Sequence, residues 1–208
     1  MLYVIVVLAI ISFIVQLPPV KGYFGELTVR ILLKFLNKEQ YRVINDVLIP
    51  AHNGKTAQID HVVVSIYGIF VIETKNYSGW IFGDENSQYW TQVIYKTKNR
   101  FYNPILQNRG HIKALQGLLQ DYSHIRYIPI VVFTSKADFK KLNVKSHVIY
   151  SLQLLKTIKK YKDKNIELDD LERICKIIST ANNTDRTARK EHVARVKELK
   201  SVTKMRDK

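Results

Sequence analysis

The sequence predicts an α/β fold, an α+β mixed sheet flanked by helices, on three observations. A short, continuously apolar run, "YIPIVVFT" at 127–134, has the length and composition of a strand buried on both faces. Two longer stretches, 25–39 and 103–121, repeat apolar residues at helical spacing. Between them lie alternating segments broken by turn residues. Helix, strands, helix, strand, strand and helices thus follow one another along 208 residues, enough for one domain with a sizeable core.

The first twenty residues, "MLYVIVVLAIISFIVQLPPV", carry no side-chain charge. As a helix, the run from Leu2 to Leu17 would reach ~24 Å, a little short of a ~30 Å hydrocarbon core, and Pro18 and Pro19 should stop it. No Lys or Arg precedes the run and no Ala-x-Ala-like site follows it. That favours an uncleaved transmembrane anchor, with Leu2, Val6, Ile10 and Phe13 in the bilayer, over a signal peptide or a buried core helix. Positive charge begins only afterwards, at Lys21, Arg30 and Lys34, so the positive-inside rule leaves the body in the cytoplasm of a single-pass cell-membrane protein. The expected organisation is an anchor over 1–20, a domain over 21–180 and a basic tail over 181–208.

Residues 25–39, "GELTVRILLKFLNKE", place Val29, Leu32, Leu33 and Leu36 on one stripe, with Glu26 at its end. That acid suits a helix first turn, where the dipole favours it. "YRVINDVLIP" alternates and ends on Pro50, as a strand would. Strands 58–66 and 69–76 follow around a turn at Tyr67-Gly68, and "GWIFGDENSQYWTQVIY" reads as a further pair broken at Gly83–Ser87. Asn103 is the expected N-cap of the second helix and Pro104 its first residue, with Gln107, His111, Ala114 and Leu118 on one face. "HVIYS" is a weaker strand signal, and "SLQLLKTIKKY" and "ELDDLERICKIIST" are helical. From Asp185 the chain is polar and rich in Arg and Lys, a marginal, exposed basic helix.

A net charge of +15 favours polyanions, either nucleic acid or the anionic face of a membrane. One cysteine, Cys175, excludes an intrachain disulfide and a CxxC zinc cluster, and suits a reducing compartment. The six histidines show no HxH or HExxH spacing, and no phosphate-binding glycine loop occurs. Ser65, Ser78 and Ser135 lack a nucleophile-elbow context.

Apolar alternation does not explain Asp60, Glu73 and Lys75 in "IDHVVVSIYGIFVIETKNYSG". A hairpin turning at Tyr67-Gly68 pairs Ile66 with Ile69. It sets Asp60 opposite Lys75 with Glu73 as diagonal neighbour, all on one face. Two readings stay open at this point. Asp60 and Lys75 form an ordinary cross-strand ion pair, or the two carboxylates hold a hard divalent ion beside an ammonium, as phosphate chemistry requires. His61 falls on the opposite face and reads as packing. His111 is either a structural histidine or one that approaches a phosphate.

An Asp followed by Glu-x-Lys on a hairpin, after a helix bearing a Glu, resembles the PD-(D/E)xK nuclease superfamily. More narrowly, "GE" at 25–26, "QIDHVVVSIYGIFVIETKNYSGWI" at 58–81, Trp90 and "NPILQNRGHIKAL" at 103–115 resemble the nuclease-related domain (NERD) family, over roughly residues 22–135. The resemblance implies a restriction-endonuclease-like core and Mg²⁺ or Mn²⁺ as cofactor. Asp60 and Glu73 would be metal ligands, the Thr74 carbonyl would complete the set, and Lys75 would be the catalytic lysine. Glu26 would be an acid for a second metal or its water, and Gln107 would orient water or substrate. Ile59 stands where the superfamily's name has Pro.

Tyr77, Trp80, Tyr89, Trp90, Tyr95, Phe101 and Tyr102 interleave with Lys96, Lys98 and Arg100, either as the core and rim of a β-meander or as a surface on which bases stack. With Arg109, these cations are the expected nucleic-acid contacts. The expected function is therefore a membrane-anchored, metal-dependent DNA nuclease, which as a duplex cutter would favour a homodimer. A non-catalytic nucleic-acid-binding module and a basic membrane-surface scaffold are the alternatives.

Overall fold

The computed structural model describes residues 18–134 and 136–206. The apolar run up to Leu17, with Leu2, Val6, Ile10 and Phe13, lies outside them. Among the described residues, no helix is long and apolar enough to cross a membrane. Pro18 and Pro19 are themselves helical, within α1 (Pro18–Leu33). The helix expected over 25–39 therefore begins earlier, and it ends earlier too. Past Leu33 the chain tightens through Lys34–Leu36, each N–H bonding the carbonyl three residues back.

The order continues with β1 (Tyr41–Pro50), β2 (Thr56–Ser65), β3 (Gly68–Lys75), β4 (Gly79–Asp84), β5 (Tyr89–Ile94), β6 (Thr97–Tyr102) and α2 (Pro104–Leu118). It ends with β7 (Tyr127–Phe133), β8 (Ala137–Asn143), β9 (His147–Tyr150), α3 (Leu154–Ile158), α4 (Leu168–Ala181) and α5 (Arg186–Arg206). Two mixed sheets result. The larger has the order β1-β2-β3-β7-β9, antiparallel through β3 and parallel beyond it. The smaller has the order β6-β5-β4-β8.

Both faces of the large sheet are covered, which is why Val62–Val64, Ile69–Ile72 and Ile130–Phe133 are continuous apolar runs in its central strands. Val29 and Leu33 of α1, Leu36 just beyond it, and Leu154 and Ile158 of α3 pack on Val63, Phe70, Ile72, Ile130 and Val132. Ala114 and Leu115 of α2 and Leu171, Ile174 and Ile178 of α4 pack on Val62, Val64, Ile69 and Val71 from the other side. A third cluster, Ile81, Trp90, Ile105, Val131 and Phe133, joins the small sheet to β7 and α2.

The β2–β3 hairpin departs from the expected register. Its two-residue turn is Ile66–Tyr67, Ser65 pairs with Gly68, and His61 pairs with Ile72. Gly68 is required there: it takes φ 128°, and a Cβ would stand 2.6 Å from the Arg126 carbonyl oxygen. The shift is two residues, so side-chain parity survives, but Asp60 moves from opposite Lys75 to opposite Glu73.

Strands β6 and β8 carry no apolar alternation, and "KADFKKLNVK" reads on its own as a solvated basic face. Both are edge strands of the small sheet, where one side of the ladder is open and lysine discourages pairing with another chain.

Asn103 fastens the small sheet to α2. Its Oδ1 accepts from the Ile105 N–H as the expected N-cap, while its Nδ2 donates to the carbonyls of Asp84, Glu85 and Ser87. Asn103→Ala should cost about 2–4 kcal/mol, the cap plus buried carbonyls left without a donor. Asn103→Ser should recover only the cap, about 1 kcal/mol. Urea denaturation of the three proteins measures both differences.

Candidate active site

Four strand residues set the site. One step beyond the last β2–β3 ladder pair, His61–Ile72, the register places Asp60 opposite Glu73. Across β1 the pairs Asn45–His61 and Val47–Ile59 keep a common register, which places Asp46 opposite Asp60 on the other side. Asp46 itself leaves the ladder with φ 54°, a left-handed conformation that Asp tolerates better than most residues. The inward alternation slips there on both strands, since Ile44 and Val47, and likewise Ile59 and Val62, face the same core cluster. Freed from strict pairing, the Thr74 N–H donates to Asp60 Oδ2 at 2.7 Å. The resemblance implies the Thr74 carbonyl as a ligand; its N–H holds the Asp60 carboxylate in place.

Glu73 is 2% exposed. Its Oε1 accepts from Lys75 Nζ at 2.7 Å, and the same ammonium donates to Gln107 Oε1 at 3.0 Å. The expected Asp60–Lys75 cross-strand pair is thus replaced by a Glu73–Lys75–Gln107 chain. Gln107 comes from α2, whose rotation is fixed by the buried Asn108, donating to the carbonyls of Val71 (2.8 Å) and Ile130 (3.2 Å) on two adjacent strands. That brings His111, one turn on, to 3.5 Å from Glu73 Oε2. Glu26 enters from α1, which approaches the end of β3 closely because residue 25 is Gly. A Cβ there would meet Asn76 Cβ at 2.7 Å.

Four carboxylates, Glu26, Asp46, Asp60 and Glu73, meet three cations, Lys75 between Glu73 and Asp60, Arg189 on Asp46 and Arg30 near Glu26, and the proton affinities record the imbalance. Burial, then Glu73 and Glu26, push the Asp60 carboxyl well above the usual carboxylate range, against the Thr74 N–H and Lys75. Burial, then Asp46 and Glu73, raise Glu26 against Arg30 and Lys75. Burial works to discharge Lys75, yet Glu73, Tyr77 and Asp60 together outweigh it and hold the ammonium above its ordinary value. Burial lowers His111, which is therefore a neutral imidazole at neutral pH despite Glu73. The site is short of positive charge.

A divalent cation fits that deficit. Glu73 Oε2 is buried and has no hydrogen-bond partner, an oxygen left over where Asp60 stands in register. Among the described residues, no three His, Cys, Asp or Glu side chains converge into a complete protein cage. Two carboxylates with water filling the remaining positions is how Mg²⁺ is ordinarily held. Cys175 on α4 is no rival nucleophile, because burial and Glu172 push its thiol up to about 11.

The structure brings Glu26, Asp60, Glu73, Lys75 and Gln107 together. It does not bring Lys96, Lys98, Arg100 or Arg109 into that cluster. The first three lie on the β5–β6 hairpin, Arg100 with its guanidinium 4.7 Å from the Tyr89 ring centre. Arg109 donates to Glu85 Oε1 at 2.6 Å. Most of the aromatic residues among these cations form the meander's core and rim, with Trp90 parallel to Phe133 and Tyr77 edge-on to Phe101. His61 is buried as expected, 2.7 Å from Asn45 Oδ1. Asp46 was missed; its one signal was the polar Asn45-Asp46 pair interrupting an otherwise alternating strand.

Comparison with known proteins identifies the family. The nuclease-related domain (NERD) family matches residues 21–134, which contain Glu26, Asp60, Glu73, Lys75 and Gln107. An uncharacterized protein of Bacillus anthracis is 39% identical over 181 residues, covering 86% of this chain and 84% of the relative. No solved structure matches significantly. Because the family match spans more than half of the chain and takes in the whole acid–lysine cluster, this protein belongs to the nuclease-related domain family.

Proposed function

We propose that the protein is a membrane-anchored, metal-dependent nuclease that hydrolyses DNA phosphodiester bonds at Asp60, Glu73 and Lys75, on a restriction-endonuclease-like core. The observation that carries this reading is the unpartnered, buried Oε2 of Glu73 in a cluster with too few cations. Mg²⁺ or Mn²⁺ held by Asp60 and Glu73 would supply positive charge against phosphoryl oxygens and Lewis acidity toward water.

The protein's own groups supply the rest. Lys75 is a fixed cation, held by Glu73 and Gln107, positioned to oppose the charge that grows on the phosphoryl oxygens. That charge grows as a water oxygen bonds phosphorus and the P–O bond opposite it breaks, the water proton passing to solvent and the leaving oxygen taking a proton from it. Gln107 commits its Oε1 to Lys75 and offers its amide N–H groups to water or to a phosphate oxygen. Glu26 completes the acid edge, where a second cation or a water would bind. The uncharged segment over 1–20 anchors the chain in the cell membrane with its body in the cytoplasm, and two copies would serve both strands of a duplex.

Asp60→Asn and Lys75→Met should each lower cleavage of plasmid DNA by at least about 100-fold, and EDTA should abolish it. DNA retained on a gel regardless of metal, with no cleavage by the folded wild-type chain, would make the protein a binding module instead. A second measurement does not depend on activity. Mg²⁺ should raise the Tm of the wild type and leave that of Asp60→Asn unchanged. Without metal, Asp60→Asn should be the more stable by on the order of 1 kcal/mol, since it removes a charge crowded by Glu73 and Glu26.

A further inference from the structure

The basic C-terminal stretch has no part in the chemistry above, yet it is fastened to the edge of the large sheet. Arg189 of α5 donates from Nη1 to Asp46 Oδ1 (2.6 Å) and from Nη2 to the Asp46 carbonyl (3.0 Å). His192, one turn on, has Nδ1 2.7 Å from Thr56 Oγ1 at the start of β2. The link from α4 is pinned as well. Asn182 Oδ1 accepts from the Leu48 N–H at 2.8 Å, and the Asn183 N–H donates to the Leu48 carbonyl at 2.8 Å. A helix expected to be marginal and exposed is thus seated at both Asp46 and Thr56.

The place of the latch gives it meaning. Asp46 stands opposite Asp60 and near enough to Glu26 to raise its proton affinity, and His192 is near enough to His111 to oppose its protonation. The helix therefore lies at the rim of the acid cluster, on its β1–β2 side. The small sheet leaves the cluster on the other side, where β4 follows β3 and β8 follows β7. Ala188, Arg189, His192 and Val196 are half-buried, whereas Arg186, Lys190 and Arg195 are exposed, with one acid, Glu191, among them. Arg186, Thr187, Lys190, Glu191 and Arg195, against only Val193 and Ala194, make the outward face too polar to enter a bilayer. Arg186 and Arg195 stand ~14 Å apart along the helix axis, a distance over which duplex DNA presents about eight charges.

We propose that α5 is a phosphate-contacting arm of the nucleic-acid site: latched through Arg189 and Asp46, it holds Arg186, Lys190 and Arg195 against the backbone of the nucleic acid bound at the acid cluster. This rests on the nuclease reading and adds to it a binding surface outside the reacting groups. The latch also removes an acid that would otherwise repel that backbone.

The test uses the full chain in detergent, a short fluorescein-labelled DNA duplex and Ca²⁺ in place of Mg²⁺, with anisotropy followed across a salt series. The triple variant Arg186→Gln, Lys190→Gln, Arg195→Gln should bind roughly 10- to 100-fold more weakly and flatten the salt slope by about 2–3. A triple of equal charge loss beside α3, Lys156→Gln, Lys159→Gln, Lys162→Gln, should lose much less. Arg189→Ala, which releases the arm, should fall between them. Equal losses in the two triples, or none in the first while the wild type binds, would overturn the arm and leave the nuclease reading standing. Failure of the wild type to bind DNA at all, whether or not it binds anionic vesicles, would overturn both.

Discussion

Glu73 is a carboxylate almost without access to water, and it persists at the end of β3 because Lys75 stands 2.7 Å away on the same strand. A buried ion pair of this kind contributes little net stability, but losing either member leaves a charge stranded at a cost of about 3–5 kcal/mol. The pair nevertheless leaves half of Glu73 unused. Oε1 is engaged and Oε2 has no hydrogen-bond partner, and although Arg189 meets Asp46 and Arg30 acts on Glu26, Asp60 lies beside Glu73 and Glu26 with Lys75 as its opposing charge. Such an arrangement is electrostatically unfavourable, and added positive charge would relieve it. That is the stability–function exchange typical of sites that bind metal and phosphate.

The topology explains how residues so far apart in sequence share this place. β3 is central in the large sheet, antiparallel to β2 and parallel to β7, so its C-terminal end is reached from both faces. α1 crosses that end at Gly25 and brings Glu26, while α2, fixed by Asn108, brings Gln107 and His111 from the opposite layer. The small sheet grows from the β3–β7 side and α5 is fastened to the β1–β2 side, so the cluster lies between two basic elements. A net charge of +15 is thus distributed around an acidic centre, the charge pattern expected where a polyanion must be held while a cation is recruited.

Much of this was legible in the sequence. "YIPIVVFT" had the mark of a strand covered on both faces, and it is β7, interior to the large sheet between β3 and β9. Asn103-Pro104 announced the start of α2. Asp60, Glu73 and Lys75 could be picked out because polar residues have no other reason to interrupt such apolar strands, and the pieces around them identified the family. Period-two alternation also placed Glu73 and Lys75 on the same face, since that property does not depend on where the turn falls.

What the sequence could not decide is which groups actually touch. A turn displaced by one residue changes the cross-strand partner of Asp60 from Lys75 to Glu73, and only the packing of Gly68 against the Arg126 carbonyl fixes that turn. β6 and β8 lack a pattern because edge strands need none. The left-handed turn of Asp46 and its capture by Arg189, 143 residues further along the chain, are long-range events with no local signature. Periodicity and composition act between near neighbours, and so they determined the fold class, most of the helices and the list of candidate side chains. Pairing register, the partner of each charge and the docking of the basic helix depend on contacts between distant segments, and these the tertiary structure alone decided.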